Sequence, residues 1–324
     1  MSTQASRRTE RVKRALATLI VVSVVVFFWR ALEHNWHAVS QHSFTLNYPL
    51  LLISLIGVLG TSLLSTYAWQ LTINALSHQP DMTFGRSVAT VNTTGLTKYL
   101  PGKFWSYALQ MYWLSRLGYS RALVLYANLV NLAVSLVTGI LLAVGLLLAV
   151  PEFRTLPVAG AFLGVLMLDA VCVLYHGRVV QFVAPLVRRV LRRDLGEFAL
   201  STKALFAIHG AQFAAQIAAA LGGYALCYAV GYQLDLGIIL QLMAALILAD
   251  TAGFLFFLVP AGLGVREATM YFLLKDSADQ SLAVVFPLIT RLASMAADVS
   301  LGAFALWLLR RSARSDQAVQ NARH

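Results

Sequence analysis

Charged residues are scarce in this sequence. Asp, Glu, Lys and Arg form 12% of the 324 residues, whereas soluble domains typically contain about 25%. Residues 123–150 include no charged side chain and no histidine. A helix crosses a bilayer with about 20 apolar residues at about 1.5 Å each. The composition therefore excludes an ordinary soluble protein and predicts a polytopic membrane protein.

Cysteine is equally rare. Cys172 and Cys227 both lie in apolar segments, and their spacing excludes a disulfide framework and a zinc knuckle. His34, His37 and His42 share one predicted loop, but a zinc site also needs a further ligand or water and a supporting shell. We therefore predict no metal and no cofactor.

The positive charge is unevenly distributed. The net charge is +11, and the basic residues group in 7–14, 86–121, 178–203 and 310–323. The intervening loops lack Lys and Arg, apart from Arg154 in one short loop. Basic loops stay in the cytoplasm and meet anionic headgroups. This pattern predicts a bacterial cytoplasmic membrane protein with both termini in the cytoplasm, and it argues against nucleic-acid binding.

The apolar runs define the predicted architecture, which is an all-α polytopic transmembrane helical bundle. We expect about seven to eight spans, some of them re-entrant or broken. A basic arm (1–14) precedes a single transmembrane domain (15–310), and a cytoplasmic tail (311–324) follows it. The predicted spans are 15–32, 48–71, 121–150, 156–175, 204–229, 237–259 and 281–309.

Two motifs rich in proline and glycine interrupt this pattern, one in each half: Tyr99-Leu100-Pro101-Gly102-Lys103 and Pro260-Ala261-Gly262-Leu263-Gly264-Val265-Arg266-Glu267. Lipid offers no hydrogen bonds, so irregular backbone at membrane depth must be shielded by protein or line a cavity. Paired breaks of this kind indicate a substrate pathway in helical transporters. We expect a re-entrant hairpin over 84–116 and a half-helix over 263–275 that completes an eighth crossing.

Ionisable residues in predicted spans are the sharpest candidates for function, since each costs about 2.5–3.5 kcal/mol at a helix centre. They either lock the bundle through ion pairs or contact substrate. We expect Arg291 to pair with Glu267, or Asp298 with Arg266, across helices. Asp169 is interpreted as a packing acid, and the role of Asp250 stays open.

The first break places Lys98 and Lys103 among aromatic residues. These cations and exposed amides suit an anionic headgroup. The alternative is an interfacial aromatic belt with snorkelling lysines.

Two further segments have alternative interpretations. The stripe of Asn128, Asn131, Ser135 and Thr138 lines a pathway or, as we favour, joins helices by hydrogen bonds. Residues 178–200 form a basic amphipathic interfacial helix, with Pro185 expected in its first turn. This helix is either a simple connector or a lipid-recognition element.

Both broken motifs, followed by Arg291 in the last apolar span, resemble the lysylphosphatidylglycerol synthase transmembrane-region family of flippase-like proteins. The resemblance covers about residues 15–310. It implies an irregular helical bundle associated with lipid translocation. By this analogy the functional cavity is lined by Lys98, Pro101, Gly102, Lys103, Pro260, Gly262, Gly264, Arg266, Glu267 and Arg291; Tyr99 and Asp298 complete our predicted substrate-binding set. The full synthases carry a soluble aminoacyl-transferase domain that this sequence lacks, so we predict no lysyl transfer.

We therefore expect a flippase-like transporter of an anionic or phosphate-bearing lipid or lipid-linked intermediate, not an enzyme. One alternative is an integral-membrane enzyme acting on lipid-linked phosphates or sugars. The other is a non-catalytic partner of a lipid-modifying enzyme. Membrane lipid is the expected binding partner in the first case.

Overall fold

The structure is a computed structural model that describes residues 29, 33, 40, 44–77, 82–99, 104–191, 199–256, 262–276 and 279–321. These residues form ten α-helices and no strand. The all-α class is therefore confirmed. The helices are α1 Tyr48–Leu76, α2 Phe84–Gly95, α3 Phe104–Ser115, α4 Arg121–Leu148, α5 Leu156–Leu174, α6 His176–Leu191, α7 Thr202–Ala229, α8 Leu236–Leu255, α9 Val265–Leu274 and α10 Gln280–Asn321.

Within the described residues, six helices are long and apolar enough to cross a membrane: α1, α4, α5, α7, α8 and the Gln280–Leu309 part of α10. They coincide with six of the seven predicted spans. The remaining predicted span, 15–32, and the basic arm before it lie outside the described residues, apart from residue 29.

Short polar side chains begin four of these helices. Asn47, Ser120, Ser201 and Asp235 each accept a hydrogen bond from the backbone N–H three residues later, at 3.0–3.2 Å. An N-cap of this kind satisfies a donor that has no partner within the helix. The caps stop the apolar helices from extending into the polar loops before them.

The most extensively packed helix pair, α1 with α7, depends on two glycines. A Cβ atom on Gly57 would lie 2.7 Å from the Cα of Gly222, so even alanine would clash there. Small residues let helix backbones approach closely in membranes, where apolar side chains gain little by leaving lipid. The pair is thus held by close backbone packing along much of its length.

Two antiparallel helical hairpins interrupt the spanning helices. The first hairpin consists of α2, a 3-10 turn over Leu96–Tyr99 that continues it, and α3. Its two helices are joined by a hydrogen bond that Gln110 Nε2 donates to Thr94 Oγ1 at 3.0 Å. In the second hairpin, α8–α9, the side chain of Gln241 donates to the backbone carbonyl of Leu273. The break in each element was predicted from the sequence, whereas a hairpin was predicted only for the first.

The hairpins have their bases at opposite ends of the bundle. One hydrophobic cluster joins Met82 and Leu114 at the base of the first hairpin to Leu123 and Leu205. A second cluster contains Leu274 near the base of the other hairpin, together with neighbouring loop and helix ends. We call the end of the bundle that holds the first cluster the basic end, and the end that holds the second cluster the opposite end. The residues that lie beside the first cluster in the chain include Arg86, Arg116, Arg121, Arg178 and Lys203.

The segment 263–275 is too short to cross as predicted. Helix α9 has ten residues, which span about 15 Å at 1.5 Å each, about half of a bilayer core. It runs back along α8 toward the opposite end, where Tyr232 Oη lies 2.9 Å from Ser281 Oγ at the start of α10. The chain therefore enters α10 from the end at which α8 begins.

The first part of the amphipathic helix expected over 178–200 is observed as α6, His176–Leu191, and residues 192–198 lie outside the described residues. The expectation that Pro185 lies in its first turn is wrong, because the helix starts nine residues earlier. An interior proline removes one helical hydrogen bond and crowds the carbonyl four residues before it. Gln181 and Pro185 are both exposed, so the surroundings can hydrate that carbonyl.

Candidate functional site

A polar cavity of about 540 Å³ lies between the two hydrophobic ends. It is lined by residues of α1, α2, α3, α4, α7, α8, α9 and α10. Cavities of about 300–1,000 Å³ hold small-molecule-sized ligands. Both hairpins contribute to its wall: the first through residues such as Lys98, which precedes its broken motif, and the second through Arg266.

The first hairpin brings a lysine to the cavity. Lys98, at the end of the 3-10 turn, places Nζ 2.7 Å from Asp298 Oδ2 of α10. Just before it, Leu96 packs directly against Gly302, where an added Cβ would lie 2.6 Å from Leu96 Cδ1. This contact fixes the depth at which Lys98 meets α10.

The second hairpin brings an arginine. Arg266, in the first turn of α9, places Nε 2.5 Å from Asp250 Oδ1 on α8, and its Nη1 donates to Ser294 Oγ at 3.4 Å. Nε has no aligned hydrogen bond despite the short distance, so this contact is a charge pair. Asp250, whose role the sequence left open, is thereby assigned a partner.

A third charge pair is more deeply buried. Arg291 Nη1 donates to Glu267 Oε1 at 3.4 Å, and the Glu267 side chain is only 3% exposed. Glu267 Oε2 also accepts the Gly264 N–H at 2.7 Å. That bond caps the N-terminus of α9, where negative charge is favourable.

The predicted pairing of Arg291 with Glu267 is thus confirmed, whereas the pairing of Asp298 with Arg266 is wrong. Residue spacing along α10 places Arg291 and Asp298 on a shared face but does not specify the neighbours. Packing of Leu96 on Gly302 brings Lys98 to Asp298. Arg266 is held instead by Asp250 on the adjacent helix.

These pairs bring charges of both signs to the cavity. Among the described residues, the cations Lys98, Arg266 and Arg291 each contact a carboxylate. The pairs differ in exposure, since Asp250 is 47% exposed and Glu267 almost fully enclosed. An anionic ligand entering here therefore meets cations already paired with carboxylates, of which Asp250 is the most accessible.

The predicted site residues fall into three groups. Lys98, Arg266, Arg291 and Asp298 line the cavity. Gly262, Gly264 and Glu267 instead shape or support the second break: both glycines have positive φ, at 66° and 81°. The last group cannot be placed at the cavity. Pro101, Gly102, Lys103 and Pro260 lie outside the described residues, and the side chain of Tyr99 is not described.

Residue spacing did not identify most of the amide side chains in the cavity. Six line it: Asn92, Gln110, Asn128, Asn131, Gln212 and Gln216. Gln212 and Gln216 are four residues apart on α7 and so share one helix face. This spacing is the sequence signal that would have predicted a polar face on α7. The sequence pattern drew attention to Asn92 and to the stripe on α4, but not to Gln110, Gln212 or Gln216.

The polar stripe on α4 both joins helices and lines the cavity. Asn131 Nδ2 donates to Thr72 Oγ1 of α1 at 2.8 Å, as expected of an interhelical contact. Asn131 also lines the cavity, as do Asn128 and Ser135. Thr138 differs, since its hydroxyl donates to Val134 O within α4.

Asp169 lies away from the cavity. Its Oδ1 is 3.1 Å from His209 Nε2, which links α5 to α7. This is the packing role expected of it. The three histidines at 34, 37 and 42 lie outside the described residues, and within the described part of the chain no group of three His, Cys, Asp or Glu side chains is placed to hold a metal.

The six candidate spanning helices of the described residues and the cavity between them define a polytopic α-helical membrane protein with two broken elements. A family model described as the lysylphosphatidylglycerol synthase TM region matches residues 15–302, most of the chain. The protein belongs to this family, as the motifs suggested. No curated protein and no solved structure gives a significant match.

Proposed function

We propose that this protein moves an anionic or phosphate-bearing lipid, or a lipid-linked intermediate, between membrane leaflets without changing it chemically. One observation carries the proposal: two hairpins from opposite ends and α10 bring three cations to one polar cavity inside a set of apolar spanning helices. Ionisable groups at such positions mark substrate pathways in membrane proteins. The broken elements match the arrangement of helical transporters.

The headgroup would bind by exchange. Its phosphate oxygens would replace Asp298 at Lys98 or Asp250 at Arg266, because each cation would exchange one charge-assisted bond to an anionic oxygen for another. Glu267 is the least suited to such exchange, since it also caps α9 through Gly264. Return of the displaced carboxylate would then release the lipid.

We further propose that the basic end faces the cytoplasm of a bacterial cell, with both termini on that side. Arg86, Arg116, Arg121, Arg178 and Lys203 adjoin this end. The loop before α8 at the opposite end contains Asp235 and no basic residue. This asymmetry is the one the positive-inside rule associates with the cytoplasmic side.

The test is a leaflet-exposure assay with fluorescent phosphatidylglycerol in liposomes containing purified protein. We expect Lys98→Gln and Arg266→Gln to reduce lipid movement by at least about tenfold, the effect of about 1.4 kcal/mol. Lys275→Gln is the matched control, because Lys275 is exposed and pairs with Asp276 away from the cavity.

Thermal unfolding must show that both cavity variants remain folded. Wild-type rates in folded Lys98→Gln and Arg266→Gln would contradict the proposal. So would movement of phosphatidylglycerol at the rate of protein-free liposomes. Chemical conversion of the lipid by the purified protein would instead favour a membrane enzyme.

A further inference from the structure

Asp169 on α5 and His209 on α7 form an ionisable pair inside the bundle, away from the cavity. Their side chains are only 17% and 15% exposed. Asp169 lies five residues before Leu174, at which α5 ends. His209 lies seven residues after Thr202, at which α7 begins. Both are therefore about 8–10 Å from the basic end at 1.5 Å per residue. Ionisable side chains at such depths mark functional sites in membrane proteins.

The hydrogen bonds of His209 fix where its protons lie. Nδ1 is 2.8 Å from the backbone oxygen of Leu205, which can only accept, so Nδ1 carries a proton. Nε2 is 3.1 Å from Asp169 Oδ1. Turning the imidazole over would place carbon atoms at both contacts and lose both hydrogen bonds. The ring therefore presents Nε2 to the carboxylate.

The contact between Nε2 and Oδ1 then needs one further proton. A neutral imidazole with its proton on Nδ1 has a lone pair at Nε2, and an ionised carboxylate has only lone pairs. These two acceptors attract each other only when a proton lies between them, as imidazolium with carboxylate or as imidazole with carboxylic acid. Both forms hold one proton more than separate neutral histidine and ionised aspartate.

The same proton makes the pair electrically neutral. Without it, the pair carries one negative charge between two apolar spanning helices, where a charge is costly. Within the described part of the chain, Asp169 and His209 have no polar partner besides each other and the Leu205 carbonyl. No described cation therefore takes the place of the proton.

The helices packed against the pair bring other ionisable groups to this region. Helix α5 contacts α4, α6 and α7, and α7 also contacts α1, α8 and α10. Tyr126 on α4 contacts His176 on α6. The charged residues of α8 and α10 that line the cavity are Asp250, Arg291 and Asp298. The remaining ionisable groups toward the basic end are Tyr67 on α1, Arg121 on α4, Cys172 on α5, Tyr175 between α5 and α6, Arg178 on α6 and Lys203 on α7.

We propose that Asp169 and His209 form a proton-binding site between α5 and α7. The bound proton holds the two helices together. Its release leaves two acceptors and an uncompensated charge facing each other, so α5 loosens from α7. The site lies outside the cavity and does not rest on the proposed function, because both of its tests are made without lipid movement.

Nuclear magnetic resonance of protein labelled with nitrogen-15 histidine counts the protons directly. At pH 7.5 free aspartate is ionised and free histidine is largely neutral. For wild-type protein in lipid nanodiscs, we expect the His209 signals, assigned by their loss in His209→Gln, to show a proton on Nδ1. Nε2 is then protonated as well, or it accepts from a carboxylic acid whose infrared band disappears in Asp169→Asn. A proton on Nε2 alone, or a neutral imidazole without that band, would overturn the inference.

The pH dependence of stability tests the energetic effect. Above about pH 7 the native pair holds a proton that the unfolded chain does not, so stability falls as pH rises. Asp169→Asn removes this dependence, because its amide N–H can donate to Nε2 without an added proton. Between pH 7 and pH 9, the unfolding equilibrium constant of the wild type should rise by up to about tenfold per pH unit relative to Asp169→Asn. Denaturant titrations in detergent measure both constants.

Tyr126→Phe is the matched control, because it removes another contact to a histidine near the same end. The Tyr126 hydroxyl can itself donate to neutral His176 across 2.9 Å, so that contact needs no added proton. The variant should therefore differ from the wild type equally at pH 7 and pH 9.

His209→Gln is the second test variant, and it decides the result if Asp169→Asn does not fold. Its amide N–H can donate to ionised Asp169, so it should lack the pH dependence as well. Wild-type pH dependence in a folded Asp169→Asn or His209→Gln protein would overturn the inference.

Discussion

Glu267 carries two functions with one carboxylate. Oε2 accepts the Gly264 N–H at 2.7 Å, and Oε1 accepts from Arg291 at 3.4 Å. The first contact begins α9, and the second fixes α9 against α10. The sequence predicted that Glu267 contacts substrate. The structure places Glu267 behind the cavity wall, where it supports Arg291.

Gly262 is required by both its backbone and its surroundings. Its φ is +66°, and a Cβ there would lie 2.8 Å from Gly253 Cα. We expect Gly262→Ala to lower the free energy of unfolding by at least about 1–3 kcal/mol, since it adds left-handed strain to a backbone clash. Thermal unfolding in detergent measures the loss.

Gly210→Ala is the matched control for that change, because its Cβ would meet no atom within 4 Å on α7. Alanine is the better helix former, so this variant should equal or exceed the wild-type melting temperature. Equal stability of Gly262→Ala and the wild type would contradict the role assigned to Gly262.

His176 should make stability depend on pH. Its Nε2 lies 2.9 Å from Tyr126 Oη, and burial lowers the pKa of His176 below its ordinary value. The unfolded chain therefore binds the proton first. Stability is complete above about pH 6.5 and declines as pH falls from there toward the folded pKa.

Melting temperatures at pH 8 and pH 5.5 test this expectation. The wild type should lose more stability on acidification than His176→Gln, in which this titration is absent. All other ionisable groups are common to both proteins, so their contributions cancel in the comparison. An identical pH dependence would show that burial of His176 has no energetic effect.

At the scale of elements, the apolar periodicity identified the spanning helices but not their neighbours. A run such as 123–150 can only be a spanning helix because lipid requires internal backbone hydrogen bonds. Pro185 shows the limit of local rules. Helix α6 tolerates it in an exposed interior turn, whereas proline alone suggests a helix start.

The link between α9 and α10 should depend on charge pairing. We expect Arg291→Met to lower the free energy of unfolding by about 3–5 kcal/mol, because Glu267 would remain buried without its cation. The double variant Arg291→Met with Glu267→Gln removes both charges, and its amide oxygen can still accept from Gly264. It should recover much of the loss in thermal unfolding.

Lys275→Met provides the comparison with an exposed pair. Lys275 Nζ lies 3.1 Å from Asp276 Oδ2, and Asp276 is 80% exposed. Exposed pairs contribute about 0–1 kcal/mol, so this variant should unfold like the wild type. A double variant no more stable than Arg291→Met would refute the pairing argument.

At the scale of the whole molecule, the two hairpins have opposite directions. Their bases lie at the basic end and the opposite end, and described residues of both hairpins line one cavity. Helical transporters with paired broken elements open such a site to each side in turn. Lipid movement should therefore require the first hairpin to shift against α10.

A disulfide between Leu96→Cys and Gly302→Cys tests this motion without changing a charged residue. The two side-chain positions lie in direct contact, with Leu96 Cγ 2.9 Å from a Cβ built on Gly302, which suits disulfide geometry. In a Cys172→Ala, Cys227→Ala background, oxidation should stop movement of fluorescent phosphatidylglycerol, and reduction should restore it.

Each single-cysteine variant, oxidised in the same way, should keep its reduced-state rate. Movement at the reduced rate in the fully cross-linked protein would show that the first hairpin and α10 need not separate. In that case the cavity would serve lipid without alternating access.

The sequence by itself determined the class, the spanning helices and the two breaks, because a bilayer leaves the backbone few solutions. It also indicated that Arg266, Arg291, Lys98 and Asp298 matter, since charges in such helices are costly. Tertiary structure alone decided their partners, the placement of Glu267 behind the wall, and the gathering of amides from four helices. Those outcomes depend on the depth and rotation of helices that are far apart in the sequence. Contacts such as Leu96 on Gly302 and Gly57 on Gly222 set that depth and rotation.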